Sequence, residues 1–191
     1  MTTDEKIQKH FRMRMRNLPY YPRKGTRNDL AELFEQLGFS LGAEIGVGHG
    51  VFSKILLRNP SLHLHCIDPW MAYHGAPQER MDNRYVYTCN NLKGLNAEIV
   101  RKTSMEAVQC YPSGYFDFVY VDGNHDFDHV MMDIIMWTPK VKSSGIFAAH
   151  DYHTQVGADV IAAIDAYTRC HFINPWYVTR EELPTAFWVV K

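Results

Sequence analysis

Ala43-Glu-Ile-Gly-Val-Gly-His-Gly-Val-Phe52 is the stretch that decides the fold. It runs from a short apolar strand through glycines at 46, 48 and 50 into the helix-like Ser53-Lys-Ile-Leu-Leu-Arg58. Such glycines let the backbone turn sharply and let a ligand approach main-chain atoms that a Cβ would shield. A dinucleotide-binding loop spaces its glycines G-x-G-x-x-G. Here the third falls one place early, at Gly50. The acid Glu44 precedes the loop, and a carboxylate there repels a pyrophosphate but suits a cationic amine. The loop therefore favours a ligand with an ammonium group over one with phosphates; a generic glycine-rich turn is the competing reading.

Working outward, Leu62-His-Leu-His-Cys-Ile-Asp68 is a second apolar strand ending in an acid. Asp68 lies about 20 residues past the loop, well placed to accept hydrogen bonds from both hydroxyls of a ribose. His63 and His65 alternate with Leu62 and Leu64, so both imidazoles share one face and are expected to be partly exposed. Pro69 then breaks the strand, since it cannot donate to a ladder.

Further on, Tyr115-Phe-Asp-Phe-Val-Tyr-Val-Asp122 and Ser144-Gly-Ile-Phe-Ala-Ala-His-Asp151 flank a helix-like stretch. A strand–helix–strand unit makes its strands parallel and usually adjacent, with their carboxyl ends side by side. In open α/β sheets ligands bind outside those ends. Asp122, His125, His150 and Asp151 are thereby gathered: two carboxylates and two imidazoles, fit to hold a divalent cation beside a general base. His125 is the expected base, because an imidazole of pKa about 6.5 takes a proton from a hydroxyl at neutral pH. His125 and His129 also stand i, i+4, as in a helical zinc pair, but that reading lacks a third ligand in sequence.

The whole chain sets bounds. Its 191 residues suit one domain, and 46% hydrophobic with 21% charged residues is ordinary for a soluble globular protein. A net charge of −1 gives no general attraction to nucleic acid or an anionic membrane. The scattered cysteines at 66, 89, 110 and 170 read as reduced thiols, pointing to the cytoplasm. No stretch has the apolar length of a membrane span, and Met1-Thr-Thr-Asp-Glu-Lys6 lacks a signal peptide's apolar region. Residues 1–27 form a polar segment in which Arg12, Arg14, Arg16, Arg23 and Lys24 make a basic patch, read as a solvated face or a lid. Residues 28–191 form the main domain, opening on a helix capped by Asn28 and ended by Gly38. Strands are predicted near 42–46, 63–67, 97–101, 116–121 and 145–149, and a helix over Val156–Arg169. The tail offers strands at Cys170–Ile173 or Trp176–Val178 and at Thr185–Val190. Alternating units of this kind argue a doubly wound α/β sheet.

With these residues in view, the chain resembles the class I S-adenosylmethionine-dependent methyltransferases. Glu44-Ile-Gly-Val-Gly-His-Gly50, Asp68 and the Asp122 strand carry the likeness. Ile67-Asp-Pro-Trp70, Val121-Asp-Gly-Asn-His125 and Ala149-His-Asp-Tyr152 look like the macrocin-type sugar O-methyltransferases, and more distantly the cation-dependent catechol O-methyltransferases. The likeness covers roughly residues 28 to 153. It implies a Rossmann-like, mostly parallel seven-stranded sheet with an antiparallel C-terminal strand, a place that Ala186-Phe-Trp-Val-Val-Lys191 suits. It implies S-adenosylmethionine as cofactor, with Glu44, Gly46, Gly48 and Gly50 at the methionine end, Asp68 at the ribose, Ser104 and Met105 near the adenine, and Trp70 and Asp122 as further cofactor-binding residues. Thr103 or Ser104 would meanwhile start a helix. Trp70, Met71, Tyr73, His74 and Arg84 would lie in a segment over the cofactor, or pack as a surface loop. Asp122, His150 and Asp151 are the expected metal ligands. Where the resembling families carry an acid, this chain has His150, shifting the site from Mg or Mn toward a softer transition metal. The expected function is O-methylation of a small hydroxylated molecule, with homo-oligomerisation left open. A cofactor-binding regulator or accessory subunit is the alternative, and a nicotinamide dehydrogenase would need the G-x-G-x-x-G spacing that is absent.

Overall fold

The computed structural model describes residues 1–14, 17–73, 75–154 and 159–191, the side chain of Arg14 apart. The expectations for Arg16, His74 and Val156 lie outside the described residues.

The chain opens with α1 (Thr3–Phe11), the short antiparallel pair β1 (Met13–Arg14) and β2 (Tyr21–Pro22), and α2 (Arg27–Gln36). Strands and helices then alternate: β3 (Leu41–Ile45), α3 (Val51–Leu56), β4 (His63–Ile67), α4 (Gln78–Asn91), β5 (Ala97–Val100) and α5 (Ser104–Ala107). β6 (Phe116–Val121), α6 (Phe127–Trp137), β7 (Val141–Ala149), α7 (Asp159–Cys170), β8 (Tyr177–Val178) and β9 (Ala186–Val189) complete the order. The seven-stranded sheet runs β5-β4-β3-β6-β7-β9-β8, and only β9 is antiparallel to its neighbours. This is the doubly wound architecture expected, with β3 and β6 at the point where strand order reverses.

Both faces of the central strands are covered, which is why they read as apolar runs and not as alternating ones. On one face Leu64, Phe118, Tyr120 and Ile146 pack under α1, α2 and α3 through Ile7, Phe11, Leu30, Phe34 and Phe52. On the other, Ile45, Ile67, Val119 and Phe147 pack under α6 and α7 through Val130, Ile134, Trp137 and Ile164. Gly42 in β3 gives Phe118 its room: a Cβ there would come within 2.2 Å of the Phe118 ring.

Several local expectations are corrected. Thr26, not Asn28, caps α2, because its hydroxyl accepts from the Asn28 N–H while Asp29 reaches back to the Thr26 N–H. Cys170–Ile173 is the end of α7 and a turn, and Tyr177–Val178 is the strand. Arg84 lies inside α4 and not in the loop before it. His65 is 5% exposed, not partly exposed, because the Tyr111, Tyr115 and Phe116 rings close over it. Within residues 1–27, α1 buries Ile7 and Phe11 completely enough to be part of the core.

Candidate active site

The parallel strands end together because their last residues are stitched across. Gly46 N–H donates to Ile67 O at 2.8 Å, Asp122 N–H to Ile45 O at 2.7 Å, and His150 N–H to Val121 O at 2.8 Å. Gly46, Asp68, Asp122 and His150 are thereby brought to one edge. Gly46 has φ +87°, and a Cβ on it would fall 2.0 Å from the Asp122 carbonyl oxygen. The glycine loop thus packs directly on the strand end that carries the acidic cluster. A Cβ at Gly48, φ +56°, would meet nothing within 4 Å, so this part of the loop faces open space.

Asp68 and Trp70 hold the loop in shape. Asp68 accepts the Gly48 N–H at 2.9 Å on one oxygen and the Trp70 N–H at 2.7 Å on the other. Trp70 is 1% exposed, and its indole N–H donates to Gly48 O at 2.9 Å, where the Thr88 hydroxyl also donates at 2.8 Å. Trp70 therefore acts from beneath the loop and not as an exposed wall. Each Asp68 oxygen has a second lone pair left for a ligand hydroxyl. Burial pushes the Asp68 carboxyl up, against the Gly48 and Trp70 N–H groups and Arg84.

Glu44 is 1% exposed and accepts the Ser53 hydroxyl at the start of α3. Burial pushes its carboxyl up to about 8; Ser53 and Arg27 oppose this, while the Asp122 and Asp68 carboxylates add to it. A buried acid under an open glycine loop fits a cationic group brought by a ligand, which would restore its charge.

Across the sheet, Thr103 and not Ser104 caps α5, in a box with Glu106. The Ser104 hydroxyl donates to buried Asp133 and accepts the Trp137 indole N–H at 2.7 Å. Its hydroxyl is committed within the protein, which leaves its backbone N–H for a ring edge. Burial raises the Asp133 carboxyl to about 6, with Ser104 and His129 opposing. Met105 is half-buried beside it.

Asp122, His125 and Asp151 converge so that one donor atom from each lies within 4.8 Å of the others. His125 Nε2 is 3.0 Å from Asp151 Oδ2 and 3.8 Å from Asp122 Oδ1. His150 Nδ1 faces the same carboxylates, 3.1 Å from Asp151 and 3.5 Å from Asp122. Its Nε2, however, meets the Arg27 guanidinium at 3.4 Å. Arg offers only donors, so that nitrogen is the acceptor and Nδ1 carries the proton in the neutral ring. His150 thus lies between the two carboxylates and Arg27, while His125 stands in the converging set. Arg27 Nη1 also lies 3.6 Å from Asp122 Oδ2 and over the Phe52 ring, and His153 Nε2 lies 3.2 Å from Asp151 Oδ1. Asp151 itself sits at φ +61°, an uncommon backbone for a residue with a Cβ and one that collects at functional sites.

The charges are strongly coupled. Asp122 and Asp151 raise His125 to about 10, and they raise His150 to about 9 against its burial. Burial opposes but does not prevent the fall of both carboxyls below the usual range, since the two imidazoles hold them ionised. His125 Nε2 and His150 Nδ1 are buried atoms without a well-formed hydrogen bond, although carboxylate oxygens are close. Two carboxylates with under-satisfied imidazole nitrogens fit a divalent cation. His129, by contrast, is exposed near Asp126 on α6, and His125 precedes that helix, so no helical histidine pair forms. Arg27 and His153 were not singled out in the sequence. His153 follows Asp151 by two residues, a readable signal, whereas Arg27 arrives from the start of α2 and gives none.

The sheet order, the acid-and-glycine loop and the acid ending the next strand define the Rossmann-like fold of the class I S-adenosylmethionine-dependent methyltransferases. A family described as a methyltransferase domain matches residues 43–152, and the chain belongs to that family. Spermidine synthase from Thermotoga maritima is 15% identical, with a TM-score of 0.61 over 87% of this chain and 60% of that one. Cofactor-bound Rv0187 from MTB is 16% identical, with a TM-score of 0.62 over 88% and 83%. A Klebsiella pneumoniae protein proposed to be an O-methyltransferase is 10% identical, with a TM-score of 0.60 over 99% and 90%. The likeness to all three is one of fold. The chain spans about 60% of the length of the spermidine synthases it matches. No curated protein sequence matches the chain significantly. Among the described residues no helix is long and apolar enough to cross a membrane.

Proposed function

We propose that the protein is an S-adenosylmethionine-dependent, divalent-cation-assisted O-methyltransferase of the macrocin type, acting on a small hydroxylated molecule. The observation that carries this reading is the contact of the cofactor-type loop with the acidic cluster: Gly46 lies against Asp122, whose carboxylate converges with His125 and Asp151. Glu44 would face the methionine ammonium, Asp68 the ribose, and the Ser104 backbone with Met105 the adenine, while Trp70 keeps the loop in its binding shape. Asp122 and Asp151 would hold the cation, and His150, bridged to Arg27, would aim their oxygens. Bound there, a divalent cation orients acceptor oxygens and lowers the pKa of a hydroxyl.

The chain's own part is placement and proton removal. Methyl transfer is an in-line displacement, so fixing the oxygen opposite the sulfonium supplies much of the rate. His125, with a side chain 41% exposed, is on the open side of the cluster, where an acceptor would arrive. Its proton is held by the two carboxylates, and with Asp122 and Asp151 engaged in holding a cation the His125 imidazole would be free to act as base. Its place in the converging set supports a second reading, in which it is the third ligand.

Thorough chelation is expected to abolish turnover with hydroxylated acceptors and leave S-adenosylmethionine binding intact in calorimetry. Unchanged turnover would remove the cation from the mechanism. In His125→Ala, cation affinity should hold while turnover falls by roughly 10²–10⁴-fold, the usual worth of a general base. Joint loss of cation and turnover would make His125 a ligand. Tight cofactor binding with no transfer to a broad acceptor panel would favour a regulator or accessory subunit.

A further inference from the structure

We infer that His63, His65 and Glu98 form a second cation site, for Zn²⁺ or a similar transition metal, on the edge of the sheet away from the cofactor end. The inference does not depend on the proposed methyl transfer.

Strand geometry brings the three together. His65 pairs in register with Glu98 on the neighbouring strand, so their side chains emerge on the same face. His63 is two residues before His65 on β4 and shares that face. His63 Nε2 lies 3.7 Å and His65 Nδ1 3.5 Å from the same Glu98 oxygen, and the three donor atoms are mutually within 4.8 Å. A tetrahedral ion with ligands at about 2.0–2.1 Å keeps neighbouring donors about 3.4 Å apart. The two nitrogen-to-Glu98 distances are thus a few tenths of an ångström from that spacing.

The surroundings of the nitrogens suit a metal. The Tyr111 hydroxyl stands 3.1 Å from His65 Nδ1, so a cation ligated by that nitrogen would displace this hydrogen bond. His63 Nε2 is a buried atom with no hydrogen-bond partner, although the rest of its side chain is 42% exposed. The two rings lie 4.9 Å apart, an arrangement that two protonated imidazoles would oppose and a shared cation would favour. Two nitrogens and a carboxylate oxygen select Zn²⁺, Co²⁺, Ni²⁺ or Cu²⁺ over Mg²⁺ or Ca²⁺. The Glu98 side chain, 54% exposed, leaves an open side for entry and for a water as fourth ligand.

The site is separate from the reaction centre. His63 begins β4 and Asp68 follows its end, five residues and roughly 16 Å along the strand. β5 is the outermost strand and is held by β4 alone, so a cation bound between them would clip the sheet edge.

The test is Zn²⁺ titration followed by calorimetry, with Co²⁺ absorption and thermal melting as second and third readouts. It uses the full chain as wild type, His63→Ala, Glu98→Gln and Asp122→Asn. Both edge variants change half-exposed or exposed side chains and keep the strand backbone. Each should lose one Zn²⁺ equivalent, or bind it at least about 100-fold more weakly, since losing even an outer partner of a ligand costs about 10–100-fold. Asp122→Asn should keep that equivalent, the tetrahedral Co²⁺ bands and the Zn²⁺-dependent rise in melting temperature. Wild-type zinc stoichiometry and affinity in both His63→Ala and Glu98→Gln would overturn the proposal. So would disappearance of every zinc equivalent in Asp122→Asn.

Discussion

Glu44 shows how one residue can serve a ligand at a cost to the empty protein. Its carboxyl is raised to about 8 by burial, so between its unfolded pKa and about 8 the fold must protonate it, and above that hold a buried charge. An acid whose folded pKa is raised destabilises the native state increasingly as pH climbs above its unfolded value. Glu44→Gln removes that penalty with little change of shape. The ligand-free variant should therefore melt no lower than wild type at pH 6 and higher at pH 8. Yet it should bind S-adenosylmethionine more weakly by about 1–3 kcal/mol if the carboxylate meets the ammonium. Parallel melting curves and calorimetry would show both effects; equal cofactor affinity would place the ammonium elsewhere. Glu44 was legible in the sequence as an acid before a glycine loop. Its partner Ser53 was not, because that hydroxyl bond depends on how α3 folds back over β3.

At the scale of elements, β3 and β6 carry the site, and their fit depends on absent side-chain atoms. Phe34, Phe39 and Phe118 form a ring stack against Gly42, with the Phe34 and Phe118 centroids 4.1 Å apart. A methyl group at Gly42 would collide with the Phe118 ring, and overpacking a core in this way costs about 1–3 kcal/mol. Gly42→Ala should lower stability by that amount in denaturant titration, whereas Gly48→Ala, with open space at its Cβ, should be limited to the strain of its positive φ. Equal losses would mean that β3 moves freely against β6. The strands were readable as apolar runs bounded by turn residues, and the alternation of strand and helix gave the doubly wound class, while their spatial order came from the structure. The helix starts were read less well. Asn28 and Thr26 are both capping residue types, and only the backbone at Thr26 settles which one takes the role.

For the whole molecule, the N-terminal segment is part of the structure that holds the site. Ile7 and Phe11 of α1 are buried against the face that also packs Tyr177 and Phe187, and the Phe11 and Phe187 rings are 5.6 Å apart. Phe11→Ala should cost about 3–5 kcal/mol, as for other buried aromatics. Chemical denaturation would measure it, and a loss below about 1 kcal/mol would instead support a detachable lid. The arginines in this segment are numerous enough in sequence to mask two apolar positions that α1 buries.

The amino-acid order by itself determined the alternating α/β architecture, the glycine loop, the acid after the second strand and the pairing of Asp122 with Asp151. These follow from local patterns: apolar runs, glycine spacing and acids at strand ends. Tertiary structure alone decided what those groups face. Arg27 reaches His150 and Asp122 from the start of α2, Ser104 spends its hydroxyl on Asp133 and Trp137, and His125 takes a place beside the carboxylates. Such contacts join residues far apart in the chain, and the charge and proton of each depend on burial and neighbours that no local pattern encodes.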